Sequence, residues 1–485
     1  MREYDRLFIG GRWESPAGTD VLEVISPHTE EPVGRVPKPT EADVDRAVAA
    51  AREAFDHGPW ARMTPQERQE AVMRFAGAYT ARLDDLNQAI VDEMGCPITM
   101  ATLTQAGVGM MIVNAFVSIA QAYPWEERRQ GIFGEVVVRR EPVGVVGAIA
   151  PWNVPQFTAM SKMAPALLSG CSIILKPAEE TPLDGMILGE ILEAAGIPEG
   201  VVSILPASRE VGEHMVRHPG IDKIAFTGST AAGRRIAALC GEQLKRFSLE
   251  LGGKSAAIVL DDADLATVVP GLKFAGLLNN GQACIAQSRI LVSRDRYDEV
   301  VDALGGMFSA LRVGDPHDPA TEIGPLVAER QQERVEKYIA LGQEEGARVV
   351  SGGSGRPEGL DTGWYVRPTL FADVDNSMRI AQEEIFGPVL VVIPYDDVDD
   401  AVRIANDSEY GLGGSVWTTD IEAGVDVARR VRTGTLAING YVMDFLAPFG
   451  GYRNSGIGRE FGPEGMDEYV EMKSIVPLAP PAPVS

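Results

Sequence analysis

Cysteine is scarce, long apolar runs are missing and basic charge is outnumbered, and each shortage removes a class of function. The 485 residues hold four cysteines, Cys96, Cys171, Cys240 and Cys284, none at CxxC spacing. That excludes a disulfide framework and, with five scattered histidines, leaves no metal site to expect. Free thiols fit a reducing, cytoplasmic setting. No run of about 18 apolar residues predicts a spanning helix, and no apolar segment follows Met1–Asp5 to suggest a leader. Against 69 acidic residues stand 44 basic ones, a net charge of −25. Such a surface repels phosphate backbones and anionic lipid, so neither nucleic acid nor membrane is an expected partner. Low complexity is confined to the Pro-rich tail 477–485, where disorder is expected.

What is present is an ordinary globular composition, 45% hydrophobic and 23% charged, in a chain too long for one core. Leu7–Trp13 reads as a hairpin around Gly10-Gly11. Val44, Ala47, Val48, Ala51 and Phe55 share one helical face over 43–55. Thr64-Pro65-Gln66-Glu67 is a capping box with proline at the first helical position. The stretch 101–120 reads as one largely buried helix. From Val145 onward, short apolar runs alternate with helical stretches: 145–149, 172–175, 201–205 and 223–227, separated by helices over 156–168 and 183–195 and from 230. A second series runs from Ala256 to Ile438, with strands at 290–292, 349–351, 389–393, 414–417 and 436–438. This alternation predicts an α/β fold of two parallel-sheet, Rossmann-like lobes with the chemistry between them. The join falls near Leu251-Gly252-Gly253-Lys254, a candidate hinge.

Four segments offer chemistry. Cys284, in Gly281-Gln282-Ala283-Cys284, follows a Gly-containing turn instead of lying in an apolar strand, whereas Cys171 and Cys240 sit beside apolar runs. A lone cysteine is more often a small buried hydrophobe, but a thiolate adds readily to a carbonyl carbon. Phe226-Thr227-Gly228-Ser229-Thr230 runs from strand through a Gly turn into a helix, an arrangement suited to phosphate; it lacks the GxGxxG pattern, and generic turns share its composition. Lys176 and Glu179 follow a strand end, where they could reach ribose hydroxyls or form a surface ion pair. Asn153, held between Pro151 and Pro155, is a stiffly mounted amide donor for an oxyanion, or simply a turn former.

Taken in order, PWNVP, LKPAEETP, FTGSTAAG, LELGGK, GQACIA, EEIFGPV and PFGGYRNSGIGRE resemble the aldehyde dehydrogenase superfamily, non-acylating type, over nearly the whole chain. The resemblance implies that Cys284 forms a thiohemiacetal, that Asn153 with the Cys284 N–H holds the oxyanion, and that Glu250 activates water to hydrolyse the thioester. It implies NAD as cofactor: Trp152, Gly228, Ser229, Glu384 and Phe386 along it, Lys176 and Glu179 on the adenine ribose. Glu179 would repel a 2′-phosphate and so disfavour NADP. The substrate tunnel would be lined by Val154, Phe157, Thr158, Ser161, Ala283, Ile285 and Phe449, with no Lys or Arg among them, which points to an apolar aliphatic or aryl aldehyde. By the same resemblance residues 1–122 with 143–252 form the NAD-binding domain and 253–450 the catalytic domain. Residues 123–142 with 451–485 form an oligomerisation arm and tail, giving a homodimer or homotetramer. Ser208, where the family often has Gly, and Arg453, where Lys is commoner, depart from the pattern without touching the chemistry. A CoA-acylating relative is the nearest alternative; Glu250 counts against it. A binding protein that kept the fold would have lost Cys284, Glu250 or Asn153, and a thiol protease would leave the Gly-rich elements unexplained.

Overall fold

The computed structural model describes residues 1–477, so most of the Pro-rich tail lies outside the described residues. The two alternating series form two separate sheets. The first has eight strands in the order 456–457, 246–250, 223–227, 145–149, 172–176, 202–204, 7–9 and 12–14. Its five central strands are parallel, and the predicted Leu7–Trp13 hairpin closes one edge antiparallel. Of the central strands, 145–149, 172–176 and 223–227 are short and almost entirely buried because helices cover both faces. The second sheet has seven strands in the order 348–351, 369–372, 389–395, 289–293, 256–259, 414–417 and 437–438, parallel except at the 348–351 edge. A third, three-stranded sheet pairs Glu126–Gly131 and Val470–Ile475 with the two sides of Gly134–Pro142.

In the first sheet Val145–Ile149 lies between Lys223–Thr227 and Ser172–Lys176, so chain direction across the sheet reverses beside it. Crevices at the carboxyl ends of strands open at such reversals. The segments leaving these two strands are Pro151-Trp152-Asn153 and Gly228-Ser229.

Three expectations change. The helix predicted over 101–120 is two helices, Ile98–Thr104 and Ala106–Ala122, broken at Gln105 (φ −103°, ψ −103°). The buried Gln105 side chain donates to the Asn153 carbonyl at 3.1 Å, and that bond accompanies the break. By length and composition Ile98–Ala122 is apolar enough to cross a membrane, which simple run-counting misses. It is a packed core element, 56% of its most apolar window being buried. Finally, the region expected to form the tail also contributes a strand to the first sheet. Gly456–Ile457 pairs antiparallel with Leu249–Glu250 on the first sheet, bringing the C-terminal region beside the proposed base.

Candidate active site

A cavity of about 680 Å³ opens between the lobes and gathers Asn153, Glu250 and Cys284 on one surface. Each is delivered by a different element. Glu250 ends the strand Arg246–Glu250, and Asn153 precedes the helix Pro155–Ser169, which has proline at its first position.

Cys284 follows a turn in which Asn279, Asn280 and Gly281 are all left-handed (φ 55°, 61° and 72°). Asparagine tolerates that region better than most residues, and side-chain bonds hold the turn in place. Asn279 Nδ2 donates to the Asn153 carbonyl at 2.8 Å. Asn280 Nδ2 donates to the carbonyls of Gly95 and Pro325 at 3.1 and 2.9 Å, while its Oδ1 accepts from Gly324 N at 2.7 Å. A Cβ at Gly281 would stand 2.2 Å from the Gly387 carbonyl oxygen, so the turn has room only for glycine there. Gly253 does the same behind Cys284, where a Cβ would meet the Cys284 carbonyl oxygen at 2.4 Å.

Asn153 is buried, and its Nδ2 donates to the Gln282 carbonyl at 2.9 Å. A primary amide carries two N–H donors, so one stays free for a ligand oxygen while the other ties Asn153 to the loop of the nucleophile.

The electrostatics favour neutral forms. Burial pushes the Cys284 thiol up to about 12, and the carboxylates of Glu384 and Glu250 push the same way. Burial and then the nearby Glu460 hold Glu250 well above the usual carboxylate range; Lys162 and Arg459 oppose them. Glu250 Oε2 is buried with no hydrogen-bond partner. Behind it, Lys162 Nζ reaches Glu460 Oε1 and Thr227 Oγ1, both at 2.6 Å. A carboxyl kept near neutrality in a cleft can take and return protons at working pH.

Trp152, Gly228, Ser229, Glu384 and Phe386 line the same cavity. Ser229 caps the helix Thr230–Glu242 by accepting from Ala232 N at 3.3 Å, so the first N–H groups of a 13-residue helix face the cavity end. Glu384 accepts from Gly253 N at 3.0 Å, and Trp152 meets Phe386 edge to face at 5.4 Å. Lys176 and Glu179 lie outside the cavity wall. Lys176 ends its strand almost fully buried, with Nζ on the Pro177 carbonyl at 3.1 Å, and burial lowers its ammonium to about 8. Glu179 makes a loop ion pair with Lys38 at 3.5 Å.

Of the expected tunnel residues, Val154, Phe157, Thr158, Ala283, Ile285 and Phe449 face the cavity. Ser161 does not: it lies one turn deeper in the helix Pro155–Ser169, fully buried, its hydroxyl donating to the Thr158 carbonyl at 3.0 Å. Met443 and Phe445, from the segment 441–449 that the family resemblance places at the substrate mouth, line it; sequence reasoning missed Leu103, Val108, Met111 and Phe274, which line it with them. It also missed Gln331 and Arg334, on the exposed-looking helix Glu329–Glu344, which donate to the Phe386 and Ile385 carbonyls at 2.7 and 3.2 Å. Lys162 was detectable: a single lysine in an otherwise uncharged helix demands a buried anion.

Comparison with known proteins agrees with this geometry. Residues 13–475 match the model of the aldehyde dehydrogenase family. The chain is 48% identical to the geranial dehydrogenase of Castellaniella defragrans over 474 residues, 98% of each chain. It is 43% identical to the 3-succinoylsemialdehyde-pyridine dehydrogenase of a Pseudomonas species, over 98% of this chain and 99% of the other. Among solved structures, the Mycobacterium tuberculosis aldehyde dehydrogenase complexed with NAD+ superposes with a TM-score of 0.97 at 52% identity, covering 99% of this chain and 100% of that one. A mutant aldehyde dehydrogenase C of Pseudomonas syringae, complexed with NAD+ and octanal, gives 0.95 at 41% identity, covering 99% and 98%. A thiol, a carboxyl and an amide donor meeting in one cleft of this fold, with kinship along nearly its whole length, place the chain in the aldehyde dehydrogenase family, as an oxidoreductase acting on aldehydes.

Proposed function

We propose that this enzyme oxidises an apolar aldehyde to its carboxylic acid with NAD, through a covalent adduct on Cys284. The observation that carries the reading is the shared cavity of Cys284, Asn153 and Glu250, with an apolar wall on one side and a helix N-terminus on the other. The residues present fit a dinucleotide. The Ser229 helix terminus offers N–H donors to a pyrophosphate, and the buried Lys176 ammonium has one carbonyl partner for three donors. Trp152 and Phe386 would flank the nicotinamide, Glu384 its ribose, and Lys176 and Glu179 the adenine ribose. When bound, the nicotinamide supplies a hydride acceptor.

The chain's own groups do the rest. The Cys284 sulfur attacks the aldehyde carbon as its proton leaves to a base. The free Asn153 N–H and the Cys284 backbone N–H stabilise charge on the oxygen, which lowers the barrier most when the donors are already placed. Loss of hydride from that carbon leaves a thioester. Glu250 then takes a proton from water, the hydroxide adds to the thioester carbon, and the Cys284 thiolate leaves with the acid released. Glu250 in this position supports hydrolysis over transfer to CoA.

Several observations support an apolar substrate. Phe157, Phe445 and Phe449 wall the tunnel, and Leu103, Val108, Met111, Phe274 and Met443 surround its mouth. Relatives act on geranial and hold octanal, as their names state. NAD over NADP rests on the Glu179 carboxylate, although Lys38 partly offsets its charge. We assign the NAD-binding domain to the eight-stranded sheet, the catalytic domain to the seven-stranded sheet and the arm to the sheet of Gly134–Pro142, with Gly456–Ile457 joined to the first. The four free thiols support a cytoplasmic setting.

NADH absorbance with octanal, geranial and succinate semialdehyde, with NAD or NADP and with or without CoA, tests the reading. We expect CoA-independent turnover of the first two with NAD, abolished in Cys284→Ala. A preference for succinate semialdehyde, or dependence on CoA, would overturn it.

A further inference from the structure

Phe461 is fully buried behind the cavity wall, and the rings of three wall residues close on it. Its centroid lies 5.0 Å from that of Phe445, 5.6 Å from Phe157 and 5.9 Å from Phe449. Phe116 backs it at 6.3 Å. Its backbone (φ 61°, ψ 171°) occupies a region that glycine populates and other residues enter only when their surroundings impose it. Those surroundings are visible. Gly465 N donates to the Phe461 carbonyl at 2.8 Å, and Gly462 N donates to the Phe445 carbonyl at 3.2 Å. Immediately before, Glu460 and Phe449 exchange two backbone bonds of 2.7 Å. Glu460 carries the carboxylate that pairs with Lys162 beside Glu250.

One residue therefore touches both the apolar wall and the backbone of the charge network. We infer that Phe461 is a positioning residue: braced by Phe157, Phe445 and Phe449, it fixes the backbone at Glu460 and so the Glu460–Lys162 pair that holds Glu250 for water attack. This rests on the reading in which Glu250 activates water against a Cys284 thioester. Phe461 touches no reacting atom. Because an acyl chain in the tunnel presses on the same rings, the hydrolytic step senses what fills the tunnel. The charged and titratable groups around Glu250 are Glu460, Lys162, Arg459, Glu468, Cys284 and Tyr441, and a shift of Glu460, with the Lys162 it pairs with, alters the field at the carboxyl.

The test uses full-length Phe461→Ala and Phe461→Leu enzymes with octanal and with propanal. NADH appearance in a single turnover gives acylation; rapid quenching and intact mass give the decay of the acyl-Cys284 adduct across pH. In Phe461→Ala, acylation should stay within about two-fold while adduct decay slows about ten-fold or more, a tenfold change being 1.36 kcal/mol of barrier. The pH midpoint of decay should move, and Phe461→Leu should recover most of the rate. Should the alanine variant not fold, the leucine variant still carries the test, through a smaller slowing of decay with the same shift of midpoint. Equal slowing of both steps, or unchanged decay with an unmoved midpoint, would reduce Phe461 to packing and overturn the inference. A wild-type enzyme that forms no acyl adduct would instead overturn the underlying reading of the site.

Discussion

Burial drives Glu250 and Cys284 towards their neutral forms, and for Glu250 the sign of the pH effect follows. Water activation needs the carboxylate, so adduct hydrolysis should rise with pH through the Glu250 pKa, with a midpoint above the ordinary glutamate value of about 4.3. Glu460→Gln removes the like charge and frees Lys162 to favour the carboxylate, so the midpoint should fall; rates of adduct decay from pH 5 to 9 measure it. In Glu250→Gln the acyl adduct should still form but hydrolyse about 10²–10⁴-fold more slowly, visible as a persistent mass increase on Cys284. At this scale Cys284, Glu250 and Asn153 were legible as candidates because each sits in a family motif, and the structure brings all three to one cavity. Ser161 was not, since one helical turn separates a wall residue from a core residue and no motif marks which is which. Gln331 and Arg334 carry no signal of their own; they act through backbone carbonyls that sequence cannot place.

The elements that hold these residues were mostly visible from periodicity. Val145–Ile149 is a continuous apolar run and Ile224–Phe226 a shorter one, as suits buried parallel strands. The helix Leu83–Met94 and the four-residue strand Thr369–Ala372 went unread: the first follows the helix Pro65–Thr80 after only two residues, and the second is too short for any period to show. The break at Gln105 was hidden because neither Gln105 nor its immediate neighbours are Gly or Pro; a long-range side-chain bond accompanies it. The left-handed turn before Cys284 makes a sharper claim. Gly281→Ala forces a Cβ into the Gly387 carbonyl oxygen at positive φ, so we expect loss of most of the titratable active-site thiol. Asn280→Ala strands the Gly324 N–H and two carbonyls, at about 1–3 kcal/mol for each group left unpaired. Thiol titration together with thermal unfolding separates the two effects.

At the scale of the molecule, the carboxyls of Glu93 and Asp184 are buried together. Glu93 accepts from the N–H groups of Leu183 and Asp184 at 2.8 and 3.1 Å, while Asp184 accepts from Gln156. Burial raises Asp184 to about 6 and Glu93 well above its usual range. Both pKa values are raised in the folded state, so their stabilisation is full below pH about 4. It is lost as pH rises through about 6 and beyond. Asp184→Asn should therefore unfold at a higher temperature than wild type at pH 7.5, with the gap narrowing towards pH 4.5 in calorimetry. The arm makes a second prediction. Ile132 and Phe133 are 95% and 81% exposed at its tip, and its outer strands Glu126–Gly131 and Val470–Ile475 end the sheet unpaired. Such edges and tips are usually covered by another chain, and we propose a homo-oligomer on that basis. Ile132→Asp with Phe133→Ser should lower the mass measured by light scattering.

The proposed base and the proposed nucleophile stand on different sheets. Glu250 terminates a strand of the first sheet, whereas Cys284 leads into Arg289–Ser293 of the second, and the chain crosses between the two through residues 251–255 and 439–455. Any rocking of one lobe on the other therefore acts like a vernier on the spacing between thioester and water. A ligand that bridges both walls, touching Ser229 on one side and Glu384 on the other, would set that scale each time it arrives or departs.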